Sequence, residues 1–145
     1  MRMQEDRELA AALNAAAIHF LRRLAREDAA SGVGPTQLSV LSLLVYAGSQ
    51  RISDLSRRER VSVPTMSKVV RGLEVAGLAL RRDDPHDGRV SWIQATDAGR
   101  QSLEEARRAR LDLLEGRLAR LRGDQKATLK AGVALLEQLA ATDES

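Results

Sequence analysis

Residues 51–82, RISDLSRRERVSVPTMSKVVRGLEVAGLALRR, contain two short helical patterns separated by a turn of only a few residues. Ser53 is placed to cap the first helix, which centres on Leu55, because a hydroxyl in this position accepts an otherwise unpaired backbone N–H. Ser62 is placed to cap the second helix, and Pro64 follows in its first turn, where a missing N–H costs nothing. Two short helices joined so closely predict a helix-turn-helix, around which the rest of the chain must pack.

The second of these helices has one apolar face and one polar face. Its apolar residues recur in steps of three and four and predict a buried stripe, which consists of Met66, Val69, Val70 and Leu73. The opposite face carries short polar and basic groups, namely Thr65, Ser67, Lys68 and Arg71. Two interpretations of that face remain open, a contact with nucleic acid and the ordinary solvated side of an amphipathic helix.

A β-hairpin is predicted after the helix-turn-helix. The runs LALRRDD (78–84) and RVSWIQA (89–95) favour strands, and the turn PHDG (85–88) joins them. A hairpin that follows a helix-turn-helix is a wing.

Acidic residues crowd the turn of this wing. Asp83 and Asp84 lie directly before it, next to Arg81 and Arg82. Two roles remain open for these two carboxylates: ion pairs with the neighbouring arginines, or formation of the turn itself.

Apolar stripes at helical spacing predict four further helices. The stripes are Leu9, Leu13, Ala16, Phe20 and Leu24; then Leu38, Leu41, Leu44 and Val45, with Pro35 before and Gly48 after; then Leu103, Ala106, Leu111, Leu114, Leu118 and Leu121, capped by Thr96; and last Leu129, Val133, Leu136 and Leu139, capped by Asp124. The expected fold class is therefore mainly α with a small β-hairpin wing, a winged helix-turn-helix with helices on both sides.

Composition excludes several classes of protein. The chain has 145 residues, enough for one domain with its own core. It contains no cysteine and two histidines far apart in sequence, so we expect no disulfide, no metal site and no cofactor. No apolar run is long enough for a membrane span and the N-terminus lacks the layout of a secretory signal, so we expect a cytoplasmic protein without membrane contact.

Charge is concentrated in the middle of the chain. Residues 51–82 carry eight basic and three acidic side chains, whereas residues 1–50 and 101–145 each balance. A basic centre between neutral ends suits a polyanion, although a solvated, arginine-rich surface has the same composition.

The order of these elements resembles the MarR family of bacterial transcriptional regulators over residues 5–140. The wing is the most specific part of the resemblance, because it contains the Asp-x-Arg of that family as Asp87-Gly88-Arg89. LEVAGLALRR (73–82) is similar to the exit from the recognition helix of the family. Ala95-Thr96 stands where the family usually has Leu-Thr, a departure that weakens packing under the wing but leaves its charged tip unchanged.

The resemblance implies a single domain over residues 1–145. Residues 1–34 and 100–145 are expected to form dimerisation helices, and residues 35–99 a winged DNA-binding lobe. The resemblance thus implies a homodimer. The terminal stripes also allow ordinary packing within one chain.

The resemblance further implies a DNA-binding transcriptional regulator, with repression of a promoter as the simplest outcome. The DNA-binding residues that we predict are Ser62, Pro64, Thr65, Ser67, Lys68, Arg71, Arg81, Arg82, Asp87 and Arg89. Arg89 is expected to enter the minor groove, and Asp87 to hold its guanidinium in a fork geometry. A dimer predicts a pseudo-palindromic operator in double-stranded DNA, with half-sites about 10 base pairs apart.

An effector pocket is also implied by the resemblance, between the dimerisation helices and the DNA-binding lobes, often for small aromatic acids. His19, Arg23 and Tyr46 are candidates to line it. Packing roles for His19 and Tyr46 remain an equal alternative.

Two other classes of function have less support in the sequence. An enzyme requires a nucleophile, a base and oxyanion donors that converge, and the sequence has no GxSxG, HExxH or phosphate-binding glycine loop, so we expect no catalytic residue. A winged-helix module that binds protein instead of an operator is the remaining alternative, against which the basic recognition helix argues.

Overall fold

The computed structural model describes residues 2–30 and 32–141, with side chains for residues 3–26 and 32–141. Met1, Ser31 and residues 142–145, which the domain boundaries predicted above include, lie outside the described residues. The elements in chain order are α1 (Arg2–Ala30), α2 (Pro35–Tyr46), β1 (Gln50–Arg51), α3 (Ile52–Glu59), α4 (Val63–Val75), β2 (Ala79–Asp83), β3 (Ser91–Ala95), α5 (Asp97–Leu118) and α6 (Gly123–Ala141). The predicted fold class, mainly α with a β-hairpin wing, is confirmed.

A three-stranded antiparallel sheet forms the wing and its base, in the order β1-β3-β2. The predicted hairpin of β2 and β3 is in register from Ala79 opposite Ala95 to Asp83 opposite Ser91. The two-residue strand β1 was not predicted, because a strand so short leaves no periodicity to detect. It pairs Arg51 with Trp92 and so ties the hairpin to the start of α3.

The core of the winged lobe is aliphatic and sits between α2, α3, α4 and β3. Its fully buried large side chains come from all four of these elements: Leu41, Leu44, Leu55, Met66, Leu73, Ile93, Val40 and Val70. The stripe predicted on α4 is confirmed at three of its four positions, and Val69 is only partly buried at the edge of the core. These contacts fix α4 and the sheet on a single hydrophobic centre.

Most of the predicted helix ends are confirmed. Pro35 occupies the first turn of α2, and Gly48 and Gly77 follow helices with positive φ, a conformation that glycine adopts without a steric penalty. The Thr96 hydroxyl accepts the backbone N–H of Gly99 at 3.0 Å and so caps α5, while Ser62 caps α4 in the same way.

Two predicted caps are wrong. Ser53 lies inside the first turn of α3, because β1 runs directly into the helix and makes Arg51 the N-cap residue without a side-chain hydrogen bond. Asp124 lies inside α6, which begins at Gly123. Its carboxylate accepts two hydrogen bonds from the Arg122 guanidinium, which lowers the pKa of Asp124, and the Gln125 side chain accepts the Arg122 backbone N–H.

The chain divides into two compact units, residues 1–110 and residues 111–145. The second unit contains α6, all of whose residues are described and none of which is buried. Its apolar side chains Leu129, Val133, Leu135, Leu136 and Leu139 are all exposed. Within the described part of the chain, no helix is both long and apolar enough to cross a membrane.

Candidate DNA-binding surface

The exposed face of α4 carries the residues that the sequence pattern predicted. Thr65, Lys68 and Arg71 are exposed, and Ser67 is half-buried. At the N-terminus of the helix, the Ser62 hydroxyl accepts the Thr65 backbone N–H at 3.3 Å and shares a hydrogen bond with the Thr65 hydroxyl at 2.8 Å. The cap therefore holds the first turn of this polar face, with Ser62 and Pro64 also exposed.

The Gln37 side chain of α2 lies close to α4 at Gly72. The Gln37 side-chain oxygen accepts the Gly34 backbone N–H at 3.0 Å, which closes the first turn of α2. The other side-chain atom, Nε2, would lie only 2.6 Å from a Cβ on Gly72 of α4. The Gln37 amide thus occupies the space that a side chain at position 72 would take, and a larger residue there would have to displace it.

Asp84 organises the turn of the wing through three hydrogen bonds. Its carboxylate accepts the backbone N–H groups of His86 at 2.8 Å and Asp87 at 3.2 Å, and the indole N–H of Trp92 at 2.8 Å. The indole bond is the largest of the effects that hold the pKa of Asp84 below its ordinary value. The Arg51 guanidinium lies 4.8 Å from the centroid of the same indole ring, a cation–π contact.

The other acid at the base of the wing also forms structure instead of pairing with arginine. Asp83 accepts the Ser91 hydroxyl at 3.4 Å across the hairpin. Arg81 donates its Nε–H to Glu74 of α4 at 3.2 Å, a carboxylate from outside the hairpin. Of the two roles left open, Asp84 has that of turn formation, whereas Asp83 has neither, since its contact is to the residue opposite it on β3.

The expected pairing of Asp87 with the Arg89 guanidinium is wrong. The Asp87 carboxylate accepts the backbone N–H of Arg89 at 3.0 Å, and its carbonyl accepts the Val90 N–H at 2.9 Å. A carboxylate two residues before an N–H in a tight turn meets the backbone more readily than the end of a long side chain. The Arg89 side chain is exposed, and no ion pair to it forms among the described residues.

The base of the wing is tied to the end of α4 and to the start of α5. The Thr96 hydroxyl donates to the Gly77 carbonyl at 2.6 Å, and the Thr96 backbone N–H donates to the Leu78 carbonyl at 3.1 Å. A Cβ on Gly99 would overlap the Leu78 backbone, so only glycine permits this approach. The end of α4, the base of the wing and the start of α5 therefore meet at this point.

A cavity of about 700 Å³ lies within residues 1–110, between α1, α2 and the first half of α5. Its lining is Leu21, Leu24, Ala25, Pro35, Leu38, Ser39, Ser42, Leu43, Tyr46, Leu103, Ala106, Arg107 and Arg110. Tyr46 is thus the one of the three effector candidates that lines it; His19 and Arg23 do not. Sequence reasoning missed Arg107 and Arg110, because both lie outside the apolar stripe of α5 and nothing in the pattern indicates that they face a cavity.

The described residues contain no group of three or more histidine, aspartate or glutamate side chains placed to hold a metal ion. The polar surfaces of the lobe are instead the α4 face and the wing, which together present basic and hydroxyl groups.

Comparison with known proteins agrees with this geometry. The sequence profile of the MarR family matches residues 33–91, which include the whole helix-turn-helix and most of the wing. A helix-turn-helix transcriptional regulator of Mycobacterium bovis is 34% identical over 143 residues, which is 99% of each chain. The chain belongs to the MarR family. It is therefore a helix-turn-helix transcriptional regulator.

Solved structures share the fold of this MarR protein. A MarR family protein from Bacillus stearothermophilus superimposes with a TM-score of 0.80 at 22% identity, over 98% of this chain and 99% of the other. A point mutant of MepR from S. aureus, solved bound to an oligodeoxyribonucleotide, superimposes with a TM-score of 0.68 at 20% identity, over 90% of this chain and 97% of that one.

Proposed function

We propose that this MarR protein is a homodimeric repressor that binds a pseudo-palindromic operator and is released by a small anionic effector. The observation that carries the proposal is the α4 surface. Its exposed Thr65, Lys68 and Arg71 stand on a helix whose opposite face, Met66, Val70 and Leu73, is fully buried in the core of the lobe. A helix held in this way enters the major groove without losing much conformational entropy.

The wing supports the same proposal. Arg89 is exposed at a tip whose backbone is held by Asp84 and Asp87, so its cation is presented on a fixed turn. Negative potential in the minor groove attracts such an arginine. Arg82 on β2 is exposed as well, while Arg81 is held by Glu74 at the junction with α4.

The dimer is supported by apolar surface that this chain does not cover. Phe20 and Leu21 of α1 are exposed, as are Leu135, Leu136 and Leu139 of α6. Exposed side chains of this kind, repeated along terminal helices, favour association with a second copy through residues 1–34 and 100–145. A two-fold dimer would place two α4 helices in successive major grooves, about 10 base pairs apart, and repress by occupying a promoter in the cytoplasm.

Selection of bound duplexes from a random library tests the operator. We expect the wild-type protein to enrich a pseudo-palindrome, and Lys68→Ala or Arg71→Ala to weaken its binding by about 1–3 kcal/mol where the side chain reads a base. Arg120→Ala, an exposed arginine in the turn after α5, is the matched control and should bind as wild type.

If no duplex is enriched above random sequence, the alternative of a winged-helix protein-interaction module becomes the better interpretation. Binding of both variants at wild-type strength would instead mean that another face of α4 meets the groove.

The cavity supports the effector part of the proposal. Its walls are mostly aliphatic, with Arg107 and Arg110 as cationic groups and Tyr46 as an aromatic one. Arg107 approaches Glu104 only at 3.5 Å and both side chains are largely exposed, so a stronger anion would displace this weak pair. An apolar ligand with one carboxylate fits this lining, and small aromatic acids belong to that class.

A thermal-shift screen over phenols and aromatic carboxylates tests this pocket. A ligand should raise the melting temperature of the wild type and lower its affinity for the operator, and Arg107→Ala should reduce both effects. If Arg107→Ala retains both effects, the effector binds at a site that does not include Arg107.

A further inference from the structure

The turn between α3 and α4 contains an arginine in an unfavourable backbone conformation. Arg60 has φ of 54° and ψ of 41°, and it is the only residue other than glycine with positive φ in the described chain. The corresponding positions after α2 and α4 are Gly48 and Gly77. Glycine adopts this left-handed conformation freely, whereas a Cβ meets the following carbonyl oxygen.

The turn itself requires this conformation. The Arg60 backbone N–H donates to the Arg57 carbonyl at 3.3 Å and the Val61 N–H donates to the Ser56 carbonyl at 3.1 Å, which is the Schellman pattern of a helix end. The buried Ser56 hydroxyl also donates to the Val61 carbonyl at 2.8 Å. Position 60 is therefore fixed in the left-handed region whichever side chain it carries.

The Arg60 charge is not compensated by the acids that lie nearest to it in the sequence. Both are already engaged: Asp54 pairs with Arg57 at 3.1 Å, and Glu59 accepts the Ser39 hydroxyl at 2.6 Å. Arg60 is exposed and forms no ion pair among the described residues. An arginine that costs backbone strain and pairs with no acid in the described chain contributes nothing visible to the fold.

The place of Arg60 in the lobe indicates what it binds. It stands two residues before Ser62, the N-cap of α4. In a helix-turn-helix the N-terminus of the second helix meets the bases, while the first helix crosses the sugar-phosphate backbone. Arg60 is the C-cap of that first helix, α3, and so lies next to both. Building on the DNA-binding role proposed above, we propose that Arg60 binds a backbone phosphate at the edge of the major groove, and that strain in the turn is tolerated for this contact.

Substitution at position 60 separates strain from charge. Arg60→Gly and Arg60→Asn should raise the melting temperature by about 2–4 °C, because both residues accept positive φ. The same two variants should weaken binding to DNA, since the phosphate contact is lost. Arg60→Lys keeps the strain and the charge, so it should melt like the wild type and restore most of the binding.

Salt dependence identifies a phosphate contact without knowledge of the operator. The measurement is surface plasmon resonance on a mixed-sequence duplex of about 30 base pairs. This length accommodates both DNA-binding lobes of a dimer and their wings. The proposed dimer carries two copies of Arg60, so the variant loses two phosphate contacts. The salt slope should then fall by about 1.8, which corresponds to about thirtyfold weaker binding in 0.15 M salt. Arg120→Ala removes an equal charge outside the lobe and should leave the slope unchanged.

The outcomes distinguish this inference from the proposed function. If the wild type binds and Arg60→Gly binds with the same affinity and slope, the phosphate contact is refuted while DNA binding stands. If the wild type binds no duplex at all, the proposed function is refuted, and the Arg60 contact is refuted with it. A Lys variant as weak as the Gly variant would also overturn a role for charge at this position.

Discussion

The winged lobe and α6 are built from the same aliphatic residues but differ in what covers them. Leu73 of α4 and Ile93 of β3 are 0% exposed, whereas Leu136 and Leu139 of α6 are 46% and 63% exposed. The lobe thus buries its apolar surface within one chain, and α6 leaves most of its own uncovered. Burial within one chain contributes the same stability at any protein concentration, whereas burial against a second copy depends on it.

The largest effect is expected from charges placed on α6. The double variant Leu136→Asp, Leu139→Asp would bury unpaired carboxylates in the proposed dimer, at a cost on the order of 5 kcal/mol or more. Light scattering should then detect monomer at micromolar concentration, whereas the wild type should remain a dimer. An unchanged dimer would mean that α6 lies outside the interface. Its exposed leucines would then not be covered by a second copy of the chain.

A core truncation should produce a smaller loss that does not depend on concentration. Leu73→Ala removes a fully buried side chain and should lower the free energy of unfolding by about 2–5 kcal/mol. Urea unfolding at two protein concentrations should give the same loss for the lobe. A loss that grows on dilution would show that the lobe, too, is stabilised by the partner.

The wing depends on hydrogen bonds and should respond to pH. Because the pKa of Asp84 is held below its ordinary value in the folded state, its contribution to stability is present above that ordinary value and is lost as pH falls through the folded value. Asp84→Asn should therefore melt below the wild type at pH 7. The gap should begin to narrow as the pH falls below the ordinary value of about 3.9 and should close only once the pH passes below the lowered folded value. Asp83→Asn is the control, with one hydroxyl contact at 3.4 Å. A gap of the same size at every pH down to acid unfolding would show that charge on Asp84 is irrelevant.

The smallest effect concerns the tip of the wing. Asp87→Ala removes the acceptor of the Arg89 backbone N–H and should weaken DNA binding by about twofold to threefold, because the tip must then be ordered on association. Asp87→Asn keeps an acceptor oxygen but removes a negative charge, so it should bind slightly more tightly than the wild type. Both effects should shrink when Arg89 is already alanine. Tighter binding by Asp87→Ala would show that the Asp87 carboxylate only repels DNA and does not order the tip for binding.

Patterns of neighbouring residues predicted the helices and the hairpin of this fold. They did not predict contacts between residues far apart in the sequence. The helices, the hairpin and the caps Ser62 and Thr96 follow from periodicity and from residues within one turn of each other. Strand β1 could not be predicted, because its two residues pair with a strand about 40 positions later.

The candidate site was predictable in part for the same reason. The exposed face of α4 follows from helical spacing, so Thr65, Lys68 and Arg71 were identified as a surface. The sequence places Asp87 next to Arg89, but whether a carboxylate meets a side chain or a backbone N–H depends on turn geometry that composition does not encode. Arg60 was not predicted, although the sequence contains a sign of it. An arginine stands at the end of a helix, in a position where glycine is preferred.

The Trp92–Asp84 hydrogen bond has an optical consequence. Trp92 is the single tryptophan of the chain, and it sits in the wing with a carboxylate on its indole N–H and the Arg51 guanidinium over its ring. Fluorescence excited at the red edge of the protein spectrum therefore comes from this residue alone. The wing carries its own chromophore between two charges, so DNA that docks there or a proton that reaches Asp84 will change its emission, without any attached dye.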